Sequence, residues 1–128
     1  MPILHAIDIE KSIVISTWIG EISDADLIES YQKHFEDEQW EPGYSSIVDL
    51  RNAALNCVTD EGLFNLFKLV GSYTEGQCDG FASVIIASDD LAKQLTEKFD
   101  SFSNDEFHTI KIFDDIQEAY KWLRTQNK

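Results

Sequence analysis

The sequence predicts an α/β fold: a mixed, mostly parallel five-stranded sheet in the order ββαβαβαβα. Two continuous apolar runs, Ser46-Ile47-Val48-Asp49-Leu50 and Ala82-Ser83-Val84-Ile85-Ile86-Ala87, read as inner strands covered on both faces. Helix-start patterns fall between the strand-like runs, so strands and helices alternate along most of the chain. The N-terminal region instead alternates apolar and polar residues, the pattern of a half-buried hairpin.

In that hairpin Ile3, Ile7 and Ile9 alternate with polar positions, as do Ile13, Ile15 and Ile19, and Glu10-Lys11-Ser12 reads as the tight connection. Ser23 and Asp26 have the spacing of a helix-capping box. Leu27, Ile28, Tyr31 and Phe35 then recur at helical spacing, which predicts a first helix over 24–39, broken by Glu41-Pro42-Gly43. Its acidic residues, Glu29 and Glu36 to Glu38 among them, read as a solvated face.

The segment from Tyr44 to Tyr73 is the one the rest is arranged to cover. Its inner strand places Asp49 and Arg51 at the carboxyl edge of the sheet, and Thr59 then caps a helix whose first turn holds Asp60 and Glu61. The apolar stripe Leu63, Leu66, Phe67 and Val70 is widened by Phe64, Leu69 and Tyr73 beyond the roughly 100° arc an ordinary surface helix buries, so one flank needs a second partner.

After a loop over 74–80 comes the second apolar strand, and Ser88 or Asp89 caps a third helix carrying Leu91, Ala92, Leu95 and Phe99. Residues 101–105 read as a loop and 108–113 as the last strand. Asp115 and Glu118 open a final helix that buries Ile116, Ala119, Tyr120 and Leu123. With 128 residues and no repeat or linker pattern, a single domain spanning 1–128 is expected.

A formal charge of -14 disfavours nucleic acid and anionic membrane surfaces as partners, because both are bound through Lys and Arg against phosphate. The opening Met1-Pro2-Ile3 leads into a strand pattern without a signal-peptide grammar, and no run of 18 apolar residues occurs, so a cytoplasmic protein with no membrane insertion is expected. Cys57 and Cys78 are far apart and read as free thiols, Cys57 as a small packing residue. Acids fall at three predicted strand ends: Asp49, Asp89 with Asp90, and Asp114 with Asp115. Helix capping explains such a set better than a divalent cation does, so no metal site and no cofactor are expected. Arg51, one of two arginines, is either a bidentate anion contact or the ion-pair partner of Asp49, Asp60 or Glu61. His5, His34 and His108 lie on separate elements in no arrangement that announces a nucleophile and base, so no catalytic residues are assigned.

Asp49-Leu50, a loop and Asp60-Glu61-Gly62-Leu63 resemble the signature of STAS domains, the anti-sigma-factor antagonist fold. The wider segment Val48-Asp49-Leu50-Arg51 and the closing Phe113-Asp114-Asp115-Ile116 through Leu123 are similar to SpoIIAA-like proteins, relatives of STAS and of lipid-binding CRAL-TRIO domains. The resemblance spans nearly the whole chain. It implies a serine, phosphorylated in true antagonists, two residues before Gly62, where this chain has Asp60, so the phospho-switch is not expected here. Two functional readings follow. One is a non-enzymatic regulatory module docking a protein partner, or a second copy as a homodimer, through the region from Arg51 to Tyr73, with Asp49, Arg51, Thr59, Asp60 and Glu61 as the docking residues. The other is a carrier or sensor of a small apolar, lipid-like ligand, with Phe64, Phe67, Leu69 and Tyr73 forming an interface or pocket.

Overall fold

The first two strands, β1 (Ile3–Asp8) and β2 (Ile13–Glu21), pair antiparallel with Ile3 opposite Trp18 and Ile7 opposite Val14. The computed structural model describes residues 2–41, 44–74, 82–101 and 109–126. Cys78, His108, most of the predicted loops over 74–80 and 101–105, and Pro42-Gly43 lie outside these. After the hairpin come α1 (Asp24–Phe35), β3 (Ser45–Ala54), α2 (Asp60–Thr74), β4 (Ala82–Ile86), α3 (Asp90–Ser101), β5 (Thr109–Phe113) and α4 (Ile116–Gln126). The strands form one sheet in the order β1-β2-β3-β4-β5, parallel from β2 onward.

This order fixes the layers. Each parallel crossover steps to the next strand in the same direction and with the same hand, so α1, α2 and α3 share one face of the sheet. Trp18, Leu27, Val48, Leu50, Leu66 and Ala92 form the main core beneath them. The last helix, α4, follows an edge strand and covers the opposite face, where Ile13, Ile47, Val84 and Ile86 meet Ala119 and Leu123.

Several sequence expectations change. Not only β3 and β4 but also β2 is covered on both faces: Ile13 and Ile15 pack towards α4, while Val14, Ser16 and Trp18 lie beneath α1 to α3. Ile19 is 46% exposed, because it lies on the α4 face beyond a register shift after Thr17, at the end of the sheet α4 does not reach. Ile9 falls in the connecting turn and is exposed as well. The first helix ends at Phe35 rather than 39. Its buried stripe is Leu27, Ser30, Tyr31 and His34, so two polar residues occupy core positions. Leu91 is exposed, and Ala92 and Thr96, one turn apart, take the inward positions.

The caps follow the sequence grammar. Ser23 and Asp26 form a reciprocal capping box, the Thr59 hydroxyl accepts from the Gly62 N–H at 3.0 Å, and the Asp89 carboxylate accepts from the Ala92 N–H at 2.8 Å. Asp115 accepts from the Gln117 N–H at the start of α4.

Candidate functional site

Between the sheet and the three-helix layer lies a cavity of about 110 Å³. Its origin is legible in the register. Ser46 on β3 lies between Val14 on β2 and Ser83 on β4, and Ser16 lies beside Val48. All five side chains face the helices. Hydroxymethyl groups at three of these positions leave unfilled the space that β-branched residues would occupy. Leu66 and Val70 of α2, Leu95, Thr96 and Phe99 of α3, and Tyr31, His34 and Phe35 of α1 close the other side. The walls are thus mostly aliphatic and aromatic.

A polar cluster, half-buried at His5 and buried at Ser16, Ser30 and His34, borders the cavity where β1, β2 and α1 meet. His5 has Nδ1 2.7 Å from Ser16 Oγ and Nε2 2.8 Å from Ser30 Oγ. A hydroxyl can donate or accept, so either neutral tautomer of His5 is satisfied. Tyr31 receives a hydrogen bond from Trp18 Nε1 at 3.2 Å, and burial pushes its phenol up to about 12. The His34 ring stacks on His5 with centroids 4.5 Å apart and planes 19° apart. Burial lowers both imidazoles to about 4, and for His5 repulsion from His34 adds to the effect. Both are therefore neutral at pH 7. His34 lines the cavity and is only 7% exposed, yet its ring nitrogens have no hydrogen-bond partner among the described residues.

The signals that place these residues were present. His5 sits between Ile3 and Ile7 in strict alternation, and His34 lies seven residues after Leu27 and three after Tyr31, on the buried stripe of α1. Their stacking across 29 residues of sequence is a product of the fold.

No protein-family model matches the chain, and no curated protein matches it. Among solved structures it is similar to an uncharacterised protein of the DUF3478 family with a SpoIIAA-like fold from Shewanella loihica PV-4. The TM-score is 0.64 at 16% sequence identity, over 94% of this chain and 93% of that one. The chain has a SpoIIAA-like fold.

In this SpoIIAA-like sheet the residues singled out around α2 divide between two faces. Asp49 alternates with Val48 and Leu50, so it shares the α4 face with Ile47. Arg51 grips it there, with Nε 2.9 Å and Nη2 2.8 Å from the two carboxylate oxygens, and these bonds hold the Asp49 carboxyl below the usual carboxylate range. That ion pair accounts for Arg51. Thr59, Asp60 and Glu61 lie at the start of α2 in the three-helix layer. The Asp24 carboxylate accepts from both the N–H and the hydroxyl of Thr59, and Lys98 Nζ lies 3.5 Å from Asp60.

The widened flank of α2 finds its partners within the chain. Tyr73 stacks on Phe35 with centroids 5.0 Å apart and meets Trp40 edge to face, and Leu69 packs on the main core. Phe67 meets Phe99 of α3. Phe64 alone of the four is exposed, with Lys68 Nζ 5.1 Å from its ring centroid. Cys57 is exposed rather than packed, because it follows β3 in the turn before α2; its thiol donates to Glu21, and that carboxylate raises its pKa. Among the described residues no group of three or more His, Cys, Asp or Glu is placed to hold a metal ion, and no helix is long and apolar enough to cross a membrane.

Proposed function

We propose that this SpoIIAA-like chain is a non-enzymatic binding module that takes a small apolar ligand between its sheet and its three-helix layer. The observation that carries this reading is the cavity of about 110 Å³, formed where Ser16, Ser46 and Ser83 leave the core under-filled. Interiors are ordinarily packed to crystal density, and an apolar void of roughly 150 Å³ stays dry and accepts benzene or xenon. The size limits the ligand to a single compact ring or its equivalent, so the cavity suits a small apolar molecule rather than a full lipid chain.

The protein-docking reading rests on Asp60, Glu61 and Phe64, all exposed at the N-terminal half of α2. One exposed aromatic is ordinary on a soluble surface. The cavity therefore has the stronger support. The test is ¹⁹F NMR with fluorobenzene. Wild-type protein should broaden and shift the signal saturably, and Ser46→Leu, which extends a side chain into the cavity, should abolish binding while keeping the protein folded. Equal binding by Ser46→Leu would overturn the reading.

A further inference from the structure

We infer that the cavity selects a monocyclic aromatic ligand bearing one neutral hydroxyl, held by a hydrogen bond to the ring of His34. This deepens the binding reading above and rests on it.

Two independent features of the site point to that chemistry. The first is His34 itself. His34 borders the cavity, and no hydrogen bond to its ring nitrogens falls among the described residues. None of those residues carries a fully enclosed side-chain nitrogen or oxygen without a partner, so the His34 nitrogens meet open space, where a ligand group can reach them. Its neighbour His5 differs, since both of its nitrogens are taken by Ser16 and Ser30. The stack with His5 and the edge contact with Trp40, centroids 5.9 Å apart, hold the His34 ring in place. The second feature is the wall. Trp18, Tyr31, Phe35, Trp40 and Phe99 offer ring faces and edges, and aromatic pairs favour offset or edge-to-face contact.

Charge narrows the class further. A neutral imidazole has one donor and one acceptor, the complement of a hydroxyl. A carboxylate would enter an apolar cavity with no cation among its lining residues, inside a protein of formal charge -14. An ammonium group would find no lining carboxylate. A neutral hydroxyl is the group the site can satisfy.

The selectivity is measurable. A purely apolar cavity prefers fluorobenzene to 4-fluorophenol, because the hydroxyl gives up water without replacement. A site with a hydrogen-bonding group in place reverses that order and discriminates strongly against the analogue lacking the hydroxyl. In ¹⁹F NMR titrations at pH 7, 4-fluorophenol should bind wild-type protein at least tenfold more tightly than fluorobenzene. In His34→Phe the two probes should bind within twofold of each other, so that the preference for the hydroxyl is lost. Fluorobenzene binding as tightly as 4-fluorophenol to wild-type protein overturns the inference and leaves the cavity reading standing, and this comparison needs no variant. Binding of neither probe overturns both.

Discussion

At the scale of single residues, His5 and His34 set the response of the protein to pH. Their ordinary pKa of 6.5 falls to about 4 in the folded state. Between those values the unfolded chain takes up protons that the folded protein refuses. Stability from this source is therefore complete above pH 6.5 and is lost as the pH falls towards 4. The limiting slope is about 1.4 kcal/mol per pH unit for each histidine. The groups facing the pair are the hydroxyls of Ser16 and Ser30, the neutral phenol of Tyr31 and the Asp37 carboxylate, which acts against the shift of His34. Asp49, whose pKa is lowered by Arg51, titrates in a separate and more acid window. Urea midpoints should thus be level near pH 7 and decline between pH 6.5 and 4, and His34→Phe should remove about half of that decline. A slope unchanged in His34→Phe would show that the pair is not what titrates. Composition gave no hint of this pair. Alternation and helical spacing marked each histidine as inward-facing, but only the register of β1 beside β2 and the seating of α1 bring the rings together.

At the scale of elements, the junction of α1 and α2 explains why a glycine stands at position 62. Thr59 was legible as an N-cap from local spacing. The role of Asp24 was not, because the hydrogen bonds from the Thr59 N–H and hydroxyl to its carboxylate span 35 residues. A Cβ at Gly62 would overlap that carboxylate. Gly62→Ala therefore gains helix propensity, worth up to about 1 kcal/mol, and loses two charge-assisted bonds of larger combined worth. The expected net cost in the wild type is about 1 kcal/mol, measured by urea unfolding. In an Asp24→Ala background the obstruction is gone and the same substitution should stabilise the protein, a reversal of sign that a double-mutant cycle reads directly. The widened flank of α2 follows the same logic. The sequence showed that Leu69 and Tyr73 need covering. It could not show that α1 and the segment reaching Trp40 and Tyr44 supply the cover.

At the scale of the whole molecule, the element order and the parallel sheet were legible because two uninterrupted apolar runs and four capping patterns are local signals. The division into three helices on one face and one on the other was legible only in part: uniform crossovers place α1 to α3 together, and the position of α4 depends on where the chain leaves the last strand. The cavity was not legible at all. It depends on Ser46 falling beside Ser83, with Ser16 two residues along beside Val48 on the same face, a coincidence of register that no single strand displays. Its capacity to hold a ligand is the central claim, and crystallography of the protein under xenon pressure tests it most directly. Xenon should appear as one ordered peak among Val48, Leu66 and Ile85, with the surrounding backbone unmoved. A pressurised crystal with no xenon at that position would contradict the claim.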